Sequence, residues 1–477
     1  MGLVRLCQRF ILHARPSVVG RPSSVPSDER SAALSGSKRK HKPAGECEIF
    51  NVLPLFSPNL LGMKTTRRSF ISGAAGAALA FTLDPIRPRQ ALAGARLVAK
   101  APRDAGRWLQ GENDPSSICD KRLLFWGWDR PTPVYVRDHR QLLEDLPFDG
   151  YVIDALSTNM RIFTRQPWPE AEFTQETSAL VGIPWTRRMD NFLIMYSATD
   201  PGWDWFNDEH WAVFEGNLRL LARASARANL TGLCLDAEPY GISPWRYATQ
   251  PSGGIYTYAG FSLKVRERGA RFGAILAQEN PNAILFAFLA LAVLQDIVQM
   301  SNSLRQAALE RDDYGLLLPF VEGILQGSNV RIVDGNEWSF SNKSPEDFYR
   351  DAHMIRARVS DLVHPDLQMA YRARVDVGAE IYTDWAFALG MFSNSGFTRF
   401  LTYEEQLLLI EHNTFWSLYT ADRYGWLYSE RTPLLTDNQR GSDVIDAVAR
   451  AKLFISHGYG LDFDMREIIQ RAEEMKG

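Results

Sequence analysis

Cysteine is nearly absent: the chain of 477 residues has four, Cys7, Cys47, Cys119 and Cys234. Only the last two lie beyond residue 93, and Cys234 stands inside an apolar run, where a free thiol packs as a small hydrophobe. That scarcity excludes a disulfide framework. Histidine is scarce too, eight residues scattered along the chain. No Cys/His cluster has zinc spacing, and Asp208-Glu209-His210 reads as a helix start, so neither metal nor cofactor is expected. There is no internal repeat, which argues against an array or adhesion scaffold. No Gly-rich phosphate fingerprint follows the first apolar strand. An excess of positive charge is also missing where a polyanion would need it. The formal charge is -3, yet residues 1–93 carry 14 basic and 5 acidic residues, leaving 39 basic against 51 acidic in the remainder. An acidic body of this kind argues against a nucleic-acid partner.

What is present is globular composition, 45% hydrophobic and 23% charged, with 12% aromatics and 13 Trp. Such an aromatic excess suits core packing, and at loop positions it also suits the flat faces of sugars.

The first 93 residues read as address. Residues 14–48 are rich in Ser, Pro, Arg and Lys without apolar period, the pattern of disorder. Arg67-Arg68 then precede Ser69-Phe70-Ile71, a Gly/Ala-rich stretch covers roughly 71–83, and Ala91-Leu92-Ala93 offers a small-x-small cleavage site. The run resembles a bacterial twin-arginine export signal, Ser/Thr-Arg-Arg-x-Phe. The stretch is too short and too Gly-rich to span a bilayer well, so no stable membrane insertion is expected. The expected organisation is an upstream, disordered extension over 1–62, with translation starting at Met63. A twin-arginine signal peptide over 63–93 and a lead-in over 94–119 follow, then one domain over 120–477. The resemblance implies the twin-arginine export machinery as a partner and a periplasmic or extracellular location.

From 120 onward apolar strands alternate with amphipathic helices. Strands are expected at 122–129, 151–156, 191–197, 230–237, 283–291, 329–338, 368–375 and 424–430. Helices are expected at roughly 208–228, 261–279, 312–326, 345–363, 404–420 and 442–455. Continuous apolar strands bounded by helices imply a parallel sheet covered on its outer face. About eight such units close most simply into a (β/α)8 TIM barrel, the alternative being an open doubly wound sheet.

In a barrel, polar residues just past the strands line one mouth. Those residues are Asp129, Asp154, Asp236, Glu238, Glu337 and Glu430, with Trp126, Trp128, Tyr240, Trp338 and Trp426 beside them. Carboxylates among aromatics suit carbohydrate chemistry: acids act at the anomeric centre and bond hydroxyls, while rings cover the apolar sugar face. Asp236 and Glu238, two apart, would share one strand face, and Pro239 would end the ladder. Each has a structural reading as well. Asp236 could cap the loop, Glu238 could pair with an Arg, and Trp126 and Trp128 could pack inside the barrel.

The stretch LDAEPYG, 235–241, resembles the fourth-strand motif of the (β/α)8 glycoside hydrolases, in which an Asn-Glu-Pro run carries the acid/base Glu. Glu238-Pro239 match, and Ala237 replaces the Asn. Asp236-Ala237-Glu238 also satisfies the Asp-x-Glu ending of the chitinase-like group. The resemblance implies an exported glycoside hydrolase with Glu238 as one catalytic carboxylate and a carbohydrate as its partner. Glu337, in VRIVDGNEWSF, supplies the second, a pairing of strands 4 and 6 similar to some α-galactosidase-like barrels. Glu380, in GAEIYTDW, is its rival on strand 7. The alternatives are a non-catalytic carbohydrate-binding barrel and a metal-dependent hydrolase using Asp236, Glu238 and Glu337.

Overall fold

The computed structural model describes residues 120–158 and 160–476. The expectations placed on 1–62, 63–93 and 94–119 lie outside them. Among the described residues ten strands form: β1 (Arg122–Gly127), β2 (Gly150–Ile153), β3 (Arg161–Phe163), β4 (Phe192–Thr199), β5 (Gly232–Asp236), β6 (Ile284–Ala287), β7 (Arg331–Asp334), β8 (Val375–Val377), β9 (Ala379–Tyr382) and β10 (Tyr424–Ser429). Their ladders are all parallel, in the order β8-β7-β6-β5-β4-β2-β1-β10-β9. Only Gly378 separates β8 from β9, so the two are halves of one broken strand. The lower half pairs with β7 and the upper half with β10. That shared strand closes the sheet, and the fold is a (β/α)8 barrel. The extra strand, β3, takes over from β2 along the upper part of β4, pairing Arg161 with Tyr196 and Phe163 with Thr199.

These strands are mostly apolar because both of their faces are covered; every residue of β4 and β10 is buried. Inside the barrel, Phe192, Phe286 and Tyr424 meet ring to ring at 5.7–6.1 Å. Above them Trp426 stacks on Phe288 at 4.2 Å, and Trp126 lies 6.4 Å from Phe288 on its other side. The lumen is therefore a packed core, and only its upper end can admit a ligand. Outside, the helices begin at good caps. Asn207 opens Asp208–Arg227, Thr257 opens Tyr258–Glu279, and Ser344 and Thr402 form capping boxes with Asp347 and Glu405.

Strand contact is close at Gly232, opposite Ile284 of β6. A Cβ there would stand 1.9 Å from the Ile284 carbonyl oxygen. Gly232→Ala is expected to destabilise the barrel by about 1–3 kcal/mol, as overpacking does, or by more because the obstacle is backbone. Equilibrium urea denaturation reads this directly, and an unchanged midpoint would contradict the packing.

The fold departs from the sequence reading in three places. The stretch 368–375 is not a strand. Gln368–Arg374 is helical, built of good helix formers, with the Tyr371 hydroxyl donating to the Ile355 carbonyl at 3.1 Å while Met369 faces solvent. The seventh strand starts only at Val375. The helix from Pro345 ends at His353 and passes through a π turn, Met354–Arg358. And β6 stops at Ala287 rather than running to 291. The buried Asp334 carboxylate accepts the amide protons of Ala290 (3.3 Å) and Ala292 (2.8 Å) and so draws that segment into a loop.

Candidate active site

Strand β5 ends at Asp236, whose side chain claims one following amide and one following hydroxyl. Oδ1 accepts the Glu238 N–H at 3.0 Å, and Oδ2 accepts the Tyr240 hydroxyl at 2.6 Å. The Trp245 indole N–H ties down the Ala237 carbonyl at 2.8 Å. The two acids therefore do not share a strand face as expected. Asp236 is buried and organises the loop, and Glu238 sits half-buried beyond the strand end. Pro239 removes the amide that could have continued the ladder.

After β7 the chain turns at Gly335, whose amide donates to the Ala287 carbonyl at 2.7 Å. Asn336 is left-handed, φ 45°, a conformation Asn tolerates better than most residues. Its side-chain amide is held by Asp351 (3.2 Å), which also binds Asn342 (2.8 Å). Glu337 follows, buried, with its amide on the Phe288 carbonyl at 3.1 Å. The Cys234 thiol is pushed well above its ordinary range by burial and by the charges of Asp236 and Glu337. Cys234 and Asp236, two apart on β5, share one strand face. Trp338, 40% exposed, stands at the rim.

Glu380 of β9 is fully buried, in register with Trp426, and its amide is held by the Ser339 hydroxyl at 2.6 Å. Above it the Tyr382 and Tyr428 rings meet at 4.9 Å. The Trp128 indole N–H donates to the Tyr428 hydroxyl (3.0 Å), which donates to Glu430 (3.0 Å). Asp384, just past β9, accepts the Arg431 amide at 3.1 Å. Burial, with the Glu430 charge adding to it, pushes the Asp384 carboxyl up to about 6.

The sign of the resulting pH dependence follows. An unfolded Asp titrates near 4. The folded chain therefore holds an extra proton between about pH 4 and 6. Stability is highest at the low end of that window and is lost as pH rises through 6, by up to about 1.4 kcal/mol per pH unit. Asp384→Asn should flatten this component. Urea denaturation of both proteins between pH 4 and 7 checks it, and parallel curves would refute it.

On the remaining wall, Asp129 accepts the amides of Leu434 (2.6 Å) and Leu435 (2.7 Å), tying the loop after β1 to the loop after β10. Asp154, past β2, is buried. It accepts the Tyr196 hydroxyl at 3.2 Å and lies 3.4 Å from Arg130 Nε. Burial raises its pKa and Arg130 opposes the rise. The Tyr196 and Tyr240 rings are 6.2 Å apart, which joins this wall to Asp236.

Asp154, Asp236, Glu238, Glu337 and Glu430 thus all belong to the C-terminal ends of the barrel strands, with Trp128, Tyr240 and Trp338 among them, whereas Glu380 lies lower, level with Trp426. Two expected sugar contacts, Trp126 and Trp426, instead plug the lumen. Trp126 is 5% exposed, and Trp426 is wholly buried with its indole N–H on the Gly335 carbonyl at 2.8 Å. Asp129 spends one oxygen on the loop amides. The sequence reading passed over Arg130, Tyr196, Tyr382, Asp384 and Tyr428. For Asp384 the signal was available, because a polar residue just past an apolar strand was the criterion. A seventh strand at 368–375 ends too early in the chain to bring Asp384 to its end; the strand that does so is β9. Among the described residues, no three His, Cys, Asp or Glu side chains are grouped so that they could hold a metal ion.

No protein-family model and no curated protein matches the chain. Similar solved structures include a GH5-4 broad-specificity endoglucanase from an uncultured bacterium, with 10% identity and a TM-score of 0.42, covering 73% of this chain and 99% of that one. A glycoside hydrolase family 5 enzyme of Prevotella bryantii in complex with a xyloglucan oligosaccharide has 12% identity and a TM-score of 0.40, covering 72% and 99%. A β-mannanase from the blue mussel Mytilus edulis has 11% identity and a TM-score of 0.34, covering 70% and 92%. The barrel itself rests on the strand register given above.

Proposed function

We propose that the chain hydrolyses glycosidic bonds at the C-terminal mouth of its barrel. The observation that carries this reading is the combination of carboxylates and hydroxyl-bearing aromatic rings at one end of a lumen otherwise filled by aromatic side chains. Glu238 protonates the glycosidic oxygen as the bond to the anomeric carbon breaks. Glu337 attacks that carbon or activates the water that does, and the oxocarbenium-like charge develops between two carboxylates. Glu380 is the alternative second carboxylate. Tyr240 and Asp236 hold the Glu238 loop, while Trp128 and Trp338 offer rings to the sugar face. The same reading includes export, which rests on the Arg67-Arg68-Ser69-Phe70 pattern alone. The test is release of reducing ends from aryl glycosides and cell-wall polysaccharides, with and without chelator. Turnover indifferent to chelator supports the reading. Turnover abolished by chelator would favour a metal-dependent hydrolase, and binding without turnover a sugar-binding barrel.

A further inference from the structure

Arg130 sits in a built position at the same mouth. It follows β1, and its backbone is left-handed at φ 41°, a strain of order 1 kcal/mol for a residue with a Cβ. Its amide donates to the Gly127 carbonyl at 3.0 Å, and the next carbonyl, Pro131, accepts the Asp154 amide at 3.2 Å. The loop is thereby pinned to the end of β2. The guanidinium approaches Asp154 with Nε 3.4 Å from Oδ2, and the Tyr196 hydroxyl, which also lies against the guanidinium, donates to that oxygen at 3.2 Å. Burial is unequal: the Asp154 side chain is 2% exposed and the Arg130 side chain 47%. Asp154 Oδ1, buried, has no hydrogen-bond partner in the protein.

An arginine serving only to neutralise a buried aspartate would be expected to meet it bidentately and be buried with it. Here the aspartate is buried while the arginine side chain stays about half exposed at the mouth. The other acids of the mouth are engaged or stand on other walls: Asp129 holds the Leu434 and Leu435 amides, Glu430 accepts the Tyr428 hydroxyl, and Asp236, Glu238 and Glu337 lie at or past the ends of β5 and β7, whereas Arg130 follows β1. A neutral sugar offers hydroxyls, which carboxylates bind well, and it makes no demand for a guanidinium. A planar carboxylate on the sugar does, and the half-exposed guanidinium of Arg130 offers it a planar, charged partner.

We infer that Arg130, anchored by Asp154 and Tyr196, binds the carboxylate of a sugar acid, so that the glycan taken by this mouth contains hexuronate. The inference rests on the carbohydrate reading of the site and adds the substrate class.

The test is calorimetric binding to full-length Glu238→Gln protein, which separates recognition from turnover. The probes are oligosaccharides of polygalacturonate and of glucuronoxylan, each native and after reduction of its carboxylates to alcohols. At least one native form should bind about tenfold or more tightly than its reduced form, the range of a hydrogen bond to a charged group. Adding Arg130→Gln should erase the difference while leaving the reduced form unaffected. Arg130→Lys keeps a charge beside Asp154, guards against a folding artefact and should retain part of the preference. Equal binding of native and reduced forms, no binding of either, or a preference that survives Arg130→Gln would overturn the inference. Turnover by the parent protein is read separately. Hydrolysis without charge preference keeps the hydrolase reading and removes this one. Charge-dependent binding without hydrolysis does the reverse.

Discussion

Glu238→Gln is expected to lower turnover by about 10²-fold or more while the protein stays folded, because glutamine keeps the shape and removes the proton-donating group. Glu337→Gln should lose rate on the same scale. The double variant should lose far less than the product of the two, since groups that act across one bond form a unit. The local structure makes the substitutions clean. Each residue's amide is already committed, Glu238 to Asp236 Oδ1 at 3.0 Å and Glu337 to the Phe288 carbonyl at 3.1 Å, so neither backbone need move. Melting temperatures of all three variants serve as the folding control. Loss confined to Glu238→Gln would transfer the second role to Glu380 on β9. Near-normal turnover in a folded Glu238→Gln protein would reduce Asp236 and Glu238 to a loop cap.

Trp426→Ala should be among the most destabilising single changes in the barrel, by about 3–5 kcal/mol. The side chain is fully buried, stacks on Phe288 at 4.2 Å and fills the lumen beneath the site. Its removal would leave a cavity at the barrel axis and an unanswered carbonyl on Gly335, the residue that starts the turn to Glu337. Activity should therefore fall with stability. Trp426→Phe keeps most of the packing and loses the hydrogen bond, so it should fall between, by about 1–3 kcal/mol. Equilibrium denaturation of both variants measures this. Unchanged stability with only a raised KM would return Trp426 to the sugar-contacting role that its place in YGWLYSE first suggested.

That residue shows where sequence pattern stops. The barrel was legible because its strands are covered on both faces and so read as unbroken apolar runs, as in β4 and β10. The mouth was legible too, because acids such as Asp154, Asp236 and Glu337 stand directly after those runs. What pattern cannot separate is two tryptophans on one face. Trp126 lies below the rim and packs, whereas Trp128, two residues on, reaches Tyr428 at the mouth. Height along a strand is set by barrel register, which depends on partners far away in sequence. The seventh strand failed for a related reason. Broken at Gly378 into two short pieces, it carries a weaker signal than the helix Gln368–Arg374 before it. Glu380, expected beyond a strand ending at 375, lies inside β9, and Asp384 stands just past that strand's end. Arg130 carries no pattern at all. Its left-handed turn and its hold on Asp154 exist only once β1 and β2 lie side by side.

The most direct measurement is a crystal structure of the Glu238→Gln protein with an oligosaccharide found by the activity screen. The expected result is a sugar chain crossing the C-terminal mouth, its anomeric carbon between residues 238 and 337 and a ring against Trp128 or Trp338. A glycan seated anywhere else on the barrel, or at the mouth with its scissile bond out of reach of both residues, would contradict the assignment.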